Sequence, residues 1–70
     1  MTRKLRLVAL RNERGMTQRE LARRVNVSPS AVAHWESGLN EPTLENLFSL
    51  AAAFDCSLDD LFERKASTPA

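Results

Sequence analysis

Apolar residues in this chain recur three and four positions apart, and residues that cap or break helices separate the runs. Leu7, Leu10 and the stem of Arg11 share one side of a helical projection, and Gly15 follows as a left-handed stop. The pattern predicts helix 1 over about Arg3 to Arg14. Thr17 with Glu20 has the form of a capping box, and Met16 and Leu21 are placed to form a hydrophobic staple around it. Helix 2 therefore runs from about Gln18 to Arg24. Val25-Asn26-Val27 is a short connection in which Asn26 tolerates a positive φ. Ser28 caps the next helix, Pro29 sits where a missing N–H costs nothing, Val27 and Val32 form a second staple, and Gly38 ends it. This predicts helix 3 over Pro29 to Ser37. Thr43 caps a fourth helix with Leu44, Leu47, Leu50, Ala51 and Phe54 as its apolar stripe, and Ser57 caps a fifth carrying Leu58, Leu61 and Phe62. No run alternates as a strand does, so the expected fold is all-α, a compact five-helix bundle. It forms one domain over residues 1–64, with a frayed tail over 65–70.

Composition narrows the function classes. Seventy residues leave little beyond a single core, so a catalytic insertion is not expected. One cysteine cannot form an internal disulfide, the apolar runs are too short for a bilayer, and the basic start is not followed by a signal-peptide core. A cytoplasmic protein without a membrane partner is the expectation. Net charge is only +1, but it is divided unevenly. Residues 1–24 hold eight basic and two acidic side chains, whereas residues 25–70 hold two basic and seven acidic ones. Such a chain can turn a cationic face to phosphates while its other side stays acidic, although a solvated arginine-rich helix face would give the same count.

Helices 2 and 3, separated by a turn of three or four residues, have the form of a helix-turn-helix, with helices 2 and 3 crossing steeply. In that geometry helix 2 lies across the sugar-phosphate backbone and helix 3 enters the major groove. Val32 and Trp35 at three-residue spacing mark the inner side of helix 3, which leaves Pro29, Ser30, Ala33, His34 and Ser37 on the outer side. Of these, Pro29, Ser30, Ala33 and His34 are the candidate base contacts. Ser30 can donate or accept, Ala33 can touch a thymine methyl, and His34 can donate to a guanine edge. A plain solvent-facing His34 remains an equal reading. Trp35 could stack on a base, but its spacing favours the core.

The segment Leu10-Arg11-Asn12-Glu13-Arg14-Gly15-Met16-Thr17-Gln18-Arg19-Glu20-Leu21-Ala22 resembles the first half of the phage-repressor family, the Cro- and lambda-repressor-like or Xre-type helix-turn-helix domains. Val27 to Gly38 resembles its recognition helix, and the likeness continues through Pro42 to Leu47 and Ser57 to Phe62. The resemblance implies the lambda-repressor-like fold and sequence-specific binding of an operator in double-stranded DNA by a small transcriptional regulator, most simply a repressor. It implies that Gln18 bonds a phosphate beside the free N–H groups of helix 2, a place that physics also favours for an anion. An ordinary first-turn surface role is the alternative for Gln18. Thr17, Arg14, Arg19, Ser28, Ser37 and Asn40 complete the expected phosphate contacts. In the family, residues at the places of Arg11 and Glu36 pair, so a structural Arg11–Glu36 salt bridge orienting helix 3 is expected here.

Two features depart from that family. No lysine or arginine lies between Val25 and Phe62, and the loop after helix 3 carries Glu41. Base discrimination by side chains should then be modest, with DNA shape taking a larger share. So few readers imply two copies on a two-fold operator, hence a homodimer at least on DNA. Phe62 with Leu58 and Leu39 offers a contact patch. The competing function is a protein-interaction module, such as an antitoxin or regulatory subunit with weak DNA binding. An enzyme is disfavoured: there is one histidine, no phosphate loop and no metal-ligand spacing, so no catalytic residue, metal, cofactor or small-molecule effector is expected. Cys56, just before the Ser57 cap, is expected to be a small buried thiol rather than a nucleophile.

Overall fold

Three of the four α-helices among the described residues begin at a hydroxyl-bearing cap, and the computed structural model, which describes residues 4–63, places the four as α1 (Leu7–Glu13), α2 (Gln18–Val25), α3 (Pro29–Ser37) and α4 (Leu44–Phe54). Thr17, Ser28 and Thr43 are extended, and the side chain of each accepts from the backbone N–H three residues on. At α2 the exchange is reciprocal: Glu20 N–H donates to Thr17 Oγ1 at 3.0 Å and Thr17 N–H donates to Glu20 Oε1 at 2.9 Å. The Thr17 backbone N–H, followed by the Thr17 side chain, holds the Glu20 carboxyl below the ordinary carboxylate range. A carboxylate depressed on folding stabilises the fold above its unfolded pKa, and that contribution disappears as pH falls through the folded value.

The all-α class holds among the described residues, but the fifth helix does not form. Its place is taken by one turn of 3-10 helix, Asp59–Leu61, in which Leu61 and Phe62 N–H bond the carbonyls of Leu58 and Asp59. Phe62 then turns extended and forms an antiparallel bridge with Leu5. Arg6 N–H donates to Leu61 O and Glu63 N–H to Lys4 O, both at 2.7 Å. The same tie moves the start of α1 from Arg3 to Leu7, because residues 4–6 are spent on pairing with the far end of the described chain. Arg6 adds a bond from Nη1 to Asp60 O at 3.1 Å. Arg3, Arg64 and the expected tail over 65–70 lie outside the described residues.

One core joins every element: Leu7 and Leu10 from α1, Leu21, Ala22 and Val25 from α2, Val32 and Trp35 from α3, Leu50, Ala51 and Phe54 from α4, and Leu61. Leu44, expected in the α4 stripe, is 62% exposed, and Phe48 one turn on is 56% exposed. Leu44 is the first residue of α4, beyond the edge of the core that Leu47 and Leu50 reach. No described helix is long and apolar enough to cross a membrane.

The helices also end alike. Gly15, Asn26, Gly38 and Asp55 each take a positive φ, and each is followed by an N–H bonded five residues back, to Arg11, Ala22, His34 and Ala51. Asp55 is the least suited of the four, since it combines φ 54° with a negative charge at the negative end of α4. Asp55→Gly is expected to raise stability by about 1 kcal/mol, a gain of roughly 4–8 °C in Tm. A thermal melt that leaves Tm unchanged or lower would contradict this account of the turn.

Candidate nucleic-acid interface

The orientation of α3 depends on one carboxylate. Glu36 Oε2 accepts from Arg11 Nε at 2.7 Å, and Glu36 Oε1 accepts from Arg11 Nη2 at 3.2 Å and from Gln18 Nε2 at 2.7 Å. The two charged side chains are only 14% and 7% exposed. Arg11 Nη1 also donates to Met16 O at 2.9 Å, at the junction of α1 and α2. Three helices therefore meet on Glu36, and a planar guanidinium bonded on two edges fixes them in rotation as well as distance.

With Val32 and Trp35 buried, α3 leaves Pro29 and Ser30 exposed and Ala33 and His34 half-buried on its outer side. Ser28 Oγ accepts from Ala31 N–H at 3.2 Å and Thr17 Oγ1 from Glu20 N–H, so each hydroxyl keeps its proton as a donor. At the start of α2, the N–H groups of Glu20 and Leu21 bond Thr17, while those of Gln18 and Arg19 belong to the first turn, where a helix supplies no acceptor.

The other candidate residues fall in different places. Gln18 turns its amide nitrogen to Glu36, a bond the sequence reading did not contain. Arg14 donates from Nε to Phe54 O at 3.1 Å and from Nη1 to Leu10 O at 3.4 Å, and its guanidinium lies 5.3 Å from the Phe54 ring centre. It closes the carboxyl end of α4, and Nη1 also lies 3.5 Å from Glu13 Oε1. Ser37 Oγ donates to His34 O at 3.1 Å and accepts from Leu39 N–H at 3.4 Å, so this hydroxyl is spent on ending α3. Arg19 and Asn40 are exposed, as are Arg23 and Arg24 on α2. Burial pushes the Cys56 thiol up, away from the thiolate a nucleophile needs. No three His, Cys, Asp or Glu side chains converge on a metal position among the described residues.

A helix-turn-helix family pattern matches residues 7–61. The chain belongs to the Xre-type helix-turn-helix family. This helix-turn-helix chain is 36% identical over 55 residues to the HTH-type transcriptional activator BcrR of Enterococcus faecalis, covering 79% of its own length. It is 46% identical over 41 residues to the HTH-type transcriptional regulator DicA of Escherichia coli K12, covering 59%. It spans 27% and 30% of the length of those two proteins. Its fold is similar to that of the P22 c2 repressor in complex with a synthetic operator, with a TM-score of 0.76 and 39% identity over 80% of this chain and 85% of the repressor chain.

Proposed function

We propose that this helix-turn-helix domain binds double-stranded DNA in a sequence-specific manner as the DNA-reading part of a cytoplasmic transcriptional regulator, with α3 in the major groove. The observation that carries the reading is the three-way bond on Glu36. It ties α3 at Glu36 to Gln18 in the first turn of α2, which supports a reading in which Ser30, Ala33 and His34 face bases while the Gln18 and Arg19 N–H groups meet a phosphate. With one N–H of Gln18 Nε2 on Glu36, its second N–H joins the backbone N–H groups of Gln18 and Arg19, the Arg19 side chain and the hydroxyls of Thr17 and Ser28 toward the phosphate. Asn40 and Arg14 add contacts at the edges.

The domain acts by occupying its operator, most simply as a repressor, and two copies bind a two-fold site. With no cation on α3, affinity comes mainly from phosphates, and DNA shape contributes much of the discrimination.

The test is an anisotropy titration against duplexes selected from a random pool, at several salt concentrations. A preferred sequence is expected, with log K falling against log salt by roughly 0.9 per phosphate neutralised. Affinity indifferent to both sequence and salt overturns the proposal.

A further inference from the structure

Four large apolar side chains are exposed among the described residues, and two of them, Leu44 and Phe48, stand one turn apart on α4. Ala52, a turn further on, is exposed as well. Positions four apart share a line along a helix, so these three residues make an apolar stripe of about 12 Å. It lies on the side of α4 turned away from Leu50, Ala51 and Phe54, which with Leu47 already tie the helix to the core. The core therefore gives the stripe no role. Leu44 and Phe48 form a ridge, and the small Ala52 leaves a place where a second backbone can approach.

The charges around the stripe are of one sign. Glu45 borders it on α4, Glu41 precedes the helix and Asp55 follows it, and all three are exposed. No lysine or arginine occurs between Val25 and Phe62 to offset them. An acidic rim repels phosphates, so nucleic acid and anionic lipid are unsuited to this face. A second copy is unsuited too, because a two-fold contact between stripes sets acid against acid, and like charges facing each other at an interface are costly. An apolar line with acidic edges is complemented by a helix that carries apolar residues three and four apart with lysine or arginine beside them.

We infer that the outer face of α4 docks a basic amphipathic helix of a partner protein. Leu44, Phe48 and Ala52 supply the apolar contact, and Glu41, Glu45 and Asp55 the charged rim. About three turns of the partner helix span the stripe. The proposed DNA interface uses no α4 side chain, so the two readings are independent.

The probe is a synthetic helical peptide of about four turns, with leucines three and four apart on one side and lysines flanking them, titrated by NMR into the isotope-labelled chain. Saturable binding is expected, with shifts centred on α4. Leu44→Gln and Phe48→Gln should each weaken it by about 10-fold, the equivalent of about 1.4 kcal/mol of lost apolar burial. Both positions are exposed and glutamine suits a helix, so folding is retained, which circular dichroism checks. A peptide with glutamates in place of the lysines should bind at least ~10-fold more weakly, and Glu41→Lys combined with Glu45→Lys should reverse that preference. No binding, binding unchanged in the glutamine variants, or equal binding of the two peptides overturns the inference. Two other occupants are also tested. Self-association in sedimentation that Phe48→Gln abolishes gives the face to a second copy, and flotation with phosphatidylcholine vesicles that Phe48→Gln abolishes gives it to lipid; either overturns the inference. Should Phe48→Gln fail to fold, Leu44→Gln and the charge reversal decide.

Discussion

Glu36→Ala is expected to cost the domain about 2–4 kcal/mol, toward the ~3–5 kcal/mol of removing one partner from a fully buried ion pair, because this pair is largely but not wholly buried. The loss exceeds that of a surface pair because the partner is largely shielded from water. Arg11 is 14% exposed, and without Glu36 its guanidinium keeps only the bond from Nη1 to Met16 O. Gln18 Nε2 loses its acceptor in the same step. Tm should fall by roughly 4–8 °C for each kcal/mol, which brings a domain of this size close to unfolding at growth temperature. Urea denaturation reads the change directly. An effect below about 1 kcal/mol would mean that the pair behaves as a solvent-screened surface bridge. The double variant Arg11→Met with Glu36→Leu separates stability from orientation. It should recover most of the stability, since a packed apolar pair of similar volume replaces the ions, yet it cannot supply the fork that sets the rotation of α3. Stability regained with DNA binding still weakened is the expected combination.

The parts of this fold that were legible in the sequence are those governed by contacts a few residues apart. Thr17 with Glu20, Ser28 with Pro29, Thr43, Gly15 and Gly38 act through bonds to their own helix ends, so a single chain segment carries the whole signal. The outer side of α3 was equally readable, because Val32 and Trp35 define the inner side by spacing alone. What was not legible depends on partners far along the chain. The segment after Ser57 has a sound cap and an apolar spacing, but Phe62 is drawn into a bridge with Leu5, and one 3-10 turn is all that remains. Arg14 could be read as a free cation because nothing near it in sequence reveals the Phe54 carbonyl it bonds. Gln18 is the clearest case in the candidate site. Its place in the first turn of α2 favours a phosphate contact, and only the packing of α2 against α3 reveals Glu36 as the acceptor that its amide meets. Leu44 shows the limit of periodicity, which assigns a side to a residue but not the point along the helix where the core stops.

Ser30→Glu should separate folding from DNA binding more sharply than any other single change. Ser30 is exposed in the first turn of α3, and that turn holds no acidic residue. A carboxylate there faces the positive end of the helix, so the variant should fold at least as well as the parent, with a gain of about 0.3–1 kcal/mol. On the proposed interface the same carboxylate enters a groove lined by base acceptors and flanked by phosphates. Like-charge juxtaposition at a binding surface costs several kcal/mol, and every 1.4 kcal/mol is a factor of ten, so affinity for the selected duplex should fall by about 100-fold or more. Ser30→Ala removes the hydroxyl without adding charge, and its loss should stay within about tenfold, the cost of one neutral hydrogen bond. The contrast between the two variants carries the test. A general disturbance of α3 would lower Tm in Ser30→Glu, whereas a groove-facing position lowers only binding. If Ser30→Glu keeps the parent's affinity and salt slope, α3 does not lie in the major groove, and the start of α2 would have to bind DNA without it.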